Sequence, residues 1–461
     1  MKNHAEAAPS SASPAPVAAR VRPLHLLVVL ALAAVLRLAV TWALAGDLLR
    51  DVDGYRALAI HLRNDGVLGW GDSTATGNVR PTAFRPPLYP LVLSTLVSGD
   101  ELRPAAVAAL HLAMGLGTVA LTLAVARRSG LGRWAIAAAM IVAADPLLLH
   151  QTPQVMTETL AAMLAAAALL AWTYCTPTAR LRWFACAGGI TALAALCRPT
   201  FLPWAGLCGL VLLWFPIAPG KRIRRAVVFS AAVVLVLLPW AVRNLAQFGH
   251  LKLTTTHGGY TLLLANNPSF YQYLESGPWG SVWASTELDE AWQRRSLAPE
   301  PQDPRWSKLS LARVPLPPPS PMDEARDHEF QDDRLAYSLA KRFIRERPGT
   351  FAYSCLVRVG RLWSILPHAT EASESLPKQT IRYAIAIWYA CIFTLAAIGL
   401  CCRRQELLAG PWIWGIMLCV AFTIVHSFYW TDLRMRAPLT PFLGLLAAAG
   451  AAVLAARRPR P

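Results

Sequence analysis

Long apolar blocks separated by short polar breaks recur along the chain. Ten of them are about 17 to 23 residues long, close to the ~20 residues that a helix needs to cross a hydrocarbon core. The pattern predicts ten transmembrane helices. They are expected at roughly 24–46, 105–126, 134–151, 156–174, 183–199, 201–217, 226–243, 381–400, 410–428 and 437–456.

The composition agrees with this pattern. Of the 461 residues, 55% are hydrophobic and 15% are charged, whereas roughly 25% are charged in an ordinary soluble domain. A soluble enzyme of this length is therefore excluded. The expected class is an all-α polytopic membrane protein.

The formal net charge of +17 is unevenly distributed along the predicted topology. With a cytoplasmic N-terminus, the segments on the cytoplasmic side hold 17 of the 44 basic residues and only two acidic ones. This positive-inside bias predicts that both termini are cytoplasmic. It also argues against nucleic acid as a partner, since no soluble domain carries a basic face.

The spans divide the chain into four parts. They are a disordered cytoplasmic tail (1–23), an N-terminal transmembrane module (24–243) with its first periplasmic loop (47–104), a periplasmic loop (244–380), and a C-terminal transmembrane module (381–461).

The two segments on the non-cytoplasmic side, 47–104 and 244–380, are too long to be simple connectors, so the chemistry is expected there. Within the second of them, a proline-rich insert (298–321) precedes a surface helix (322–347) and an interfacial helix (351–366).

The first periplasmic loop begins with two aspartates before an amphipathic helix. Apolar residues at 55, 58, 59 and 62 have helical spacing. Asp51 and Asp53 stand at the helix start, where carboxylates are favoured as caps. The alternative is a functional role, because carboxylates at the edge of a bilayer are costly.

Farther along this loop, residues 80–90 form a proline-rich turn that contains Arg85. Taken alone, the turn is an interfacial anchor. The guanidinium of Arg85 is equally suited to a phosphate.

Several motifs along the chain resemble bacterial GT-C glycosyltransferases, the membrane enzymes related to dolichyl-phosphate-mannose protein mannosyltransferases and aminoarabinose transferases. The resemblance extends from about residue 24 to 455, and the topology places every motif at the periplasmic face. The motifs are Asp-x-Asp-Gly-Tyr at 51–55, Pro-Thr-Ala-Phe-Arg-Pro-Pro-Leu-Tyr-Pro at 81–90, Thr-Glu-Thr-Leu at 157–160, Cys-Arg-Pro-Thr at 197–200, Pro-Trp-Ala-Val-Arg-Asn at 239–244, His-Gly-Gly-Tyr at 257–260, Asn-Asn-Pro at 266–268, and Asp-Leu-Arg-Met-Arg-Ala-Pro at 432–438.

The resemblance implies a GT-C-like bundle of about ten transmembrane helices with periplasmic juxtamembrane helices, in a bacterial inner membrane. It also implies transfer of a sugar from a polyprenyl-phosphate donor to a hydroxyl of a lipid, glycan or protein acceptor. Asp51 or Asp53 is the candidate general base, and direct attack inverts the anomeric centre. The candidate arginines for the donor phosphate are Arg85, Arg198, Arg243, Arg434 and Arg436, with Arg243 and Arg434 favoured.

The remaining candidate residues concern a metal and the sugars. Glu158 is either a helix-start acid, the partner of an arginine, or a ligand that joins Asp51 and Asp53 around a divalent metal. Whether a cofactor is used stays open. The candidate sugar- or acceptor-binding residues are Tyr55, His257, Tyr260, Asn266 and Asn267.

Two other functions fit the same topology. A flippase or transporter of lipid-linked sugars also needs many spans, but such proteins are often built from repeated halves, and no repeat is visible. The second alternative is a non-catalytic relative that only binds lipid or another protein.

Overall fold

The computed structural model of the chain describes residues 23–71, 79–214, 218–277, 283–294, 328–369, 374–407 and 410–456. The expected disordered tail and the proline-rich insert (298–321) lie outside the described residues, except for Pro23. Nearly everything described is helical. The strands in these ranges are β1 and β2, which pair as one antiparallel ribbon.

The elements follow one another in three stretches. The first contains α1 (Pro23–Ala43), the 3₁₀ helix η1 (Ala45–Leu49), α2 (Tyr55–Asn64), β1 (Gly69–Gly71), β2 (Val79–Pro81), α3 (Leu88–Ser94), α4 (Pro104–Arg128), α5 (Trp134–Ala143), α6 (Pro146–Gln151) and α7 (Glu158–Thr173). The second contains α8 (Leu181–Cys197), α9 (Phe201–Trp214), α10 (Pro219–Phe248), α11 (Gly258–Ala265), α12 (Pro268–Ser276) and α13 (Thr286–Arg294). The third contains α14 (His328–Glu346), α15 (Pro348–Leu362), α16 (Leu376–Cys402), α17 (Arg404–Leu407), α18 (Trp412–Phe428), the 3₁₀ helix η2 (Leu433–Leu439) and α19 (Thr440–Ala456).

The all-α class predicted from the apolar blocks is confirmed, and each predicted span contains an apolar helix. Five helical stretches in the described residues are long and apolar enough to cross a membrane, by length and composition: α1, α4, α10, α16 and the continuous stretch Leu433–Ala456. The shorter apolar helices α5, α7, α8, α9 and α18 pack among them.

The predicted span 134–151 is wrong as a single helix. It is divided into α5 and α6, because Pro146 lacks the N–H that would continue the ladder of α5. Asp145 caps the new helix, and its Oδ1 accepts a hydrogen bond from the Leu148 backbone N–H at 3.0 Å. The hydroxyl of Tyr389 on α16 also contacts this carboxylate, at 3.2 and 3.3 Å. The break therefore places a buried carboxyl group inside the bundle.

Small residues allow the C-terminal helices to approach closely. Gly399 of α16 lies against the Leu446 carbonyl of α19, and Gly450 of α19 lies against the Leu395 carbonyl of α16. A Cβ atom at either glycine would clash with that carbonyl oxygen. Within a membrane there is no hydrophobic driving force between helices, because lipid is as apolar as their surfaces. Such close backbone packing is therefore a main source of helix association.

Short helices cover one end of this bundle, which we call the site end. The surface helix predicted over 322–347 is observed as α14, and the interfacial helix predicted over 351–366 is observed as α15. Leu339 and Phe343 of α14 are buried against Leu262 and Leu263 of α11. In the described part of the second non-cytoplasmic segment, α11 and α14 therefore form a packed cap.

The close packing of α16 and α19 predicts a large effect of Gly450→Ala. The added methyl group must push the Leu395 carbonyl away, so we expect a loss of about 1–3 kcal/mol in stability, measured as a lower melting temperature in detergent. Gly206→Ala is the control, because nothing lies within 4 Å of its Cβ position. Equal melting temperatures for the two variants would contradict the packing described above.

Candidate active site

Asp53 lies in the link between η1 and α2 and faces two arginines. Arg85 donates from Nη2 to Asp53 Oδ1 at 2.9 Å, and Arg434 Nη1 lies 3.8 Å from Asp53 Oδ2. The next residue, Gly54, has φ +74° and leaves no room for a Cβ beside the indole of Trp70. This turn, which favours glycine, leads the chain into α2 and leaves Asp53 facing the bundle.

Glu158 is a second carboxylate of the site, at the first residue of α7. Its side chain is only 4% exposed, and Arg198 Nη1 lies 2.8 Å from its Oε1. Arg434 Nε approaches the same oxygen at 3.8 Å. Of the three interpretations offered by the sequence, the geometry shows two: Glu158 is a helix-start acid and also the partner of an arginine. Without such a partner, burying the charged form of a carboxylate this deeply would be costly.

Asp432 holds Arg434 in place at the start of η2. Its Oδ1 accepts the Arg434 backbone N–H at 3.0 Å, and its Oδ2 accepts Arg434 Nε at 3.1 Å. Burial raises the pKa of the Asp432 carboxyl, and Glu158 adds to this rise while Arg434 opposes it. Arg434 is therefore fixed among three carboxylates.

These contacts bring together six side chains of alternating charge, which we call the charge cluster. Its members come from five separate places in the chain: the links before α2 and α3, the start of α7, the end of α8, and η2. The charge cluster consists of Asp53, Glu158, Asp432, Arg85, Arg198 and Arg434. Its formal charges cancel, so it can lie at the end of an apolar bundle at a tolerable desolvation cost.

Asp51 lies outside the charge cluster and serves as a cap. Its Oδ1 accepts the backbone N–H of Arg56, and its Oδ2 accepts that of Ala57, both at 3.0 Å. Both oxygens are therefore bound to the first turn of α2, where the helix dipole favours a negative charge. The structure thus corrects the sequence analysis, which left Asp51 and Asp53 equivalent.

Arg243, one of the two favoured arginines, binds backbone instead of a carboxylate of the charge cluster. Its Nη1 donates to the Thr82 carbonyl at 2.9 Å, and its Nη2 donates to the Leu68 carbonyl at 3.0 Å. The guanidinium also lies over the rings of Trp240 and Phe248. Its role in these contacts is to fasten the first loop to the end of α10.

Arg436 is likewise separated from the charge cluster. It is fully buried, donates to the carbonyls of Leu362 and Ser364 at 3.2 and 2.8 Å, and lies over the Tyr389 ring at 4.2 Å. Residues two apart in a 3₁₀ helix point about 120° apart. Arg434 and Arg436 accordingly have contacts on different sides of η2, and the structure does not bring these two arginines together.

Asn266 and Asn267 are structural residues, contrary to the expectation that they bind sugar. Both are fully buried. Asn266 Nδ2 donates to the carbonyls of Leu262 and Phe428 at 2.9 and 3.0 Å. Asn267 Oδ1 accepts the Phe270 N–H at 2.9 Å and so caps α12. An asparagine before a proline at the first helical position is typical of such a cap.

Tyr55 and His257 pack against aromatic rings. Tyr55 is buried edge-on against Tyr89, with ring centroids 5.1 Å apart. His257 lies against Phe84 with a centroid distance of 4.3 Å. Burial, reinforced by the positive charge of Arg85, lowers the pKa of His257 to about 3, so its imidazole is neutral near pH 7.

The carboxylates predicted as metal ligands do not form a ligand set. Asp51 is occupied by backbone N–H groups, while Asp53 and Glu158 each face arginines. Among the described residues, no group of three or more His, Cys, Asp or Glu is arranged to hold a metal ion. The donor set therefore does not fit a divalent cation, and no step below depends on one.

Tyr260 faces a cavity beside the charge cluster. The cavity measures about 170 Å³, and the Tyr260 hydroxyl donates to Asp289 at its edge. We call it the aromatic cavity. Six of its lining residues are Phe84, Tyr260, Trp292, Glu329, Asp332 and Asp333.

Glu329 joins the two outer segments, and the sequence analysis missed it. Its carboxylate accepts the Thr82 hydroxyl at 2.6 Å, the Ala83 N–H at 2.9 Å and the Thr256 hydroxyl. The Thr256 N–H in turn donates to the Ala83 carbonyl at 3.0 Å. No local pattern signals this role, because Thr82 is 247 residues away along the chain.

Neither a protein-family model nor a curated protein matches this sequence. Solved structures do match in fold. The archaeal oligosaccharyltransferase AglB from Archaeoglobus fulgidus, in complex with an inhibitory peptide and a dolichol-phosphate, is 17% identical with a TM-score of 0.51. The same enzyme in complex with Zn and sulfate is 15% identical with a TM-score of 0.52. These alignments cover 94% and 93% of this chain, which spans about half the length of AglB.

ArnT from Cupriavidus metallidurans, bound to undecaprenyl phosphate, is 15% identical over 94% of this chain and 79% of its own, with a TM-score of 0.42. AglB and ArnT are both GT-C glycosyltransferases. The likeness to AglB, at its low identity, concerns the fold alone. At that level the resemblance seen in the motifs is confirmed: the chain has the fold of the GT-C glycosyltransferases.

Proposed function

We propose that this protein is a membrane glycosyltransferase. It transfers a sugar from a polyprenyl-phosphate donor to an acceptor hydroxyl at the periplasmic face of a bacterial inner membrane, with inversion of the anomeric centre. The observation that carries the proposal is the charge cluster, in which a partly exposed carboxylate lies between two arginines. The positive-inside bias of the loops supports the placement at the periplasmic face.

Asp53 is the proposed general base. The acceptor oxygen forms a bond to the anomeric carbon as the bond from that carbon to the phosphate oxygen breaks. The acceptor proton passes to the Asp53 carboxylate, a transfer that typically contributes ~10²–10⁴ in rate. Asp53 suits this task better than Asp51 because it faces Arg85 and Arg434 of the charge cluster, whereas both oxygens of Asp51 accept backbone N–H groups of α2.

The arginines of the charge cluster stabilise the leaving group. The polyprenyl phosphate gains negative charge as it departs, and cations already fixed in place lower that barrier without reorganisation. The side chains of Arg434, Arg85 and Arg198 are 29%, 17% and 11% exposed. Arg434 is therefore the first of the three to meet a lipid phosphate, and Arg198 serves mainly to neutralise Glu158.

The fold supports the same donor class. A solved structure of AglB, which shares the fold, is a complex with an inhibitory peptide and a dolichol-phosphate. A lipid donor suits a site at the end of an apolar bundle, because the prenyl chain stays in the hydrocarbon while the sugar phosphate reaches the charge cluster. A flippase of lipid-linked sugars would need ionised groups along its path through the membrane. The ion pairs of the charge cluster lie at the site end.

The decisive experiment supplies the purified protein with a panel of polyprenyl-phosphate sugars and measures the released polyprenyl phosphate. A glycosyltransferase releases it from at least one donor when acceptor extracts are present. A flippase instead moves the intact donor across liposome membranes without release. Movement without release from any donor would overturn the proposal in favour of the flippase, and binding with neither activity would favour a non-catalytic relative.

The two aspartates give a matched pair of variants. Asp53→Asn removes the base, and we expect turnover to fall by about 10²–10⁴ while donor binding persists. Asp51→Asn keeps a residue that caps helices about as well as aspartate does, so we expect a stability cost below about 1 kcal/mol and most of the turnover retained. Prenyl-phosphate release and thermal melting report the two effects. The reverse ranking of turnover would assign the base to Asp51.

Arg434→Gln tests the phosphate contact. We expect the affinity for undecaprenyl phosphate to fall by roughly 10- to 100-fold, the usual range for losing a charged hydrogen bond of ~1.5–3 kcal/mol. Native mass spectrometry in detergent measures the lipid bound. Arg50→Gln is the control with the same change of charge, since Arg50 is a surface residue paired with Asp47. An equal loss in both variants would show a general charge effect and refute the contact.

A further inference from the structure

The end of the bundle opposite the charge cluster carries a second group of arginines. α7 begins with Glu158, and α8 ends just before Arg198, and both of these residues belong to the charge cluster. The other ends of the two helices, at Thr173 and Leu181, therefore lie at the opposite end of the bundle, which we call the far end. A helix of 16 residues such as α7 is about 24 Å long, close to the ~30 Å of a hydrocarbon core.

Three parts of the chain meet at the far end through direct contacts. Arg128, the last residue of α4, donates from Nε to the Thr173 hydroxyl at 2.7 Å, and its guanidinium lies 3.5 Å from the centre of the Tyr174 ring. Arg225, near the start of α10, donates to the Pro177 carbonyl. The end of α4, the connection between α7 and α8, and the start of α10 therefore form one continuous surface.

Two stacked aromatic rings lie within this surface. The ring centroids of Tyr174 and Trp183 are 4.3 Å apart, and the rings are nearly parallel at an angle of 13°. Arg128 lies over the Tyr174 ring, and the Arg182 guanidinium lies 5.5 Å from the centre of the Trp183 ring. Tyrosine and tryptophan are enriched where a protein meets lipid head groups. The stack therefore places these two arginines at the depth of the head groups.

The positive charge of the far end is not balanced by acidic residues of the same connections. Residues 127–134, 173–183 and 218–225 contain nine Lys or Arg and no Asp or Glu. Six of the nine are exposed and form no ion pair with any residue that the structure describes: Arg127, Arg133, Arg180, Arg182, Lys221 and Arg224.

Other charges at this end leave the excess in place. Glu406, the acid of the other predicted cytoplasmic connection, is already paired with Arg403 at 3.5 Å. Three helices end and three begin at the connections of the far end, so their dipoles largely offset one another. The far end thus differs from the charge cluster, in which the formal charges cancel.

Apolar surface adjoins the cations. Arg222 donates from Nη1 to the Leu213 carbonyl at 3.3 Å, which joins the end of α9 to the start of α10. Leu213 of α9 is exposed, as are Ile223 and Val227 of α10. A molecule with an anionic head and apolar chains finds both of its partners here.

We propose that the far end binds the head group of an anionic phospholipid, in the leaflet that the sequence analysis predicts to be cytoplasmic. The guanidinium groups around the Tyr174–Trp183 stack donate to the phosphate, a geometry to which arginine is suited. The acyl chains lie along α9 and α10. Basic surfaces between transmembrane helices on the cytoplasmic side are typical sites for anionic head groups. The proposal does not rest on the proposed function.

The test measures lipid binding to the full chain in detergent by native mass spectrometry. The probes are phosphatidylglycerol, which is anionic, and phosphatidylcholine, which carries the same phosphate but no net charge. We expect phosphatidylglycerol to bind at least 5-fold more tightly. Equal affinities would overturn the proposal. Glycerol 3-phosphate is the third probe, and binding as tight as that of phosphatidylglycerol would assign the surface to a free phosphate instead.

Variants locate the lipid at the far end. Arg182→Gln is expected to weaken phosphatidylglycerol binding about 5-fold, the usual effect of one cation near a membrane surface. Arg404→Gln is the matched control, because Arg404 is an exposed arginine of the other predicted cytoplasmic connection. We expect its affinity to stay within about 2-fold of the wild type. Equal losses in the two variants would show a general charge effect and refute a defined site.

A third variant separates this lipid from the donor. Arg434→Gln, at the site end, is expected to leave phosphatidylglycerol binding within about 2-fold. A loss larger than that of Arg182→Gln would place the phospholipid in the charge cluster and overturn the proposal. Arg182→Gln should in turn keep the melting temperature and the prenyl-phosphate release of the wild type, because Arg182 is remote from the charge cluster. A lowered melting temperature would assign Arg182 to folding and refute its role in lipid binding.

Discussion

Charge neutralisation at the end of an apolar bundle is the constraint on which the site depends. Each carboxylate of the charge cluster has an arginine within ion-pair distance. Arginine suits this position because its guanidinium stays charged and can face several acids at once. Arg434 does so with three carboxylates, and it thereby joins three chain segments: the link before α2, the start of α7 and η2 itself.

The same constraint explains why the site has a packed cap. Ion pairs near a membrane surface are weakened when water and salt can reach them. The helices α11, α14 and α15 cover the site end, and Glu329 fastens α14 to the first loop through Thr82 and Ala83. Arg243 holds the same loop from the side of α10. The segment that presents Arg85 is therefore fixed from two directions.

Much of the architecture could be predicted from the sequence, because helix length and hydropathy are local properties. The apolar blocks located every helix of the bundle, and the break at Pro146 was the one error that a proline rule could have prevented. The convergence of Asp53, Glu158 and Arg434 at one end also followed from topology. The specific partner of each charge did not, because ion pairing depends on side-chain directions that only tertiary packing fixes.

Three errors at the site have local causes. The turn at Gly54 points the side chains of Asp51 and Asp53 in different directions, and the sequence alone does not show which of the two faces the bundle. Asn267 precedes Pro268, and an asparagine before a proline is typical of a helix start. The sequence analysis instead predicts that Asn267 binds sugar. Arg436 lies two residues after Arg434, and residues two apart do not share a face of a helix, a rule that the sequence analysis does not apply to this pair. Long-range partners such as Glu329 have no sequence signal at all.

The segment 82–85 has a thermodynamic consequence because it borders the charge cluster through Arg85 and the aromatic cavity through Phe84. Linkage requires that any change in affinity which a ligand in the cavity produces at the charge cluster is returned to that ligand by the same factor. Binding measured on either side of the segment therefore reports one and the same coupling free energy.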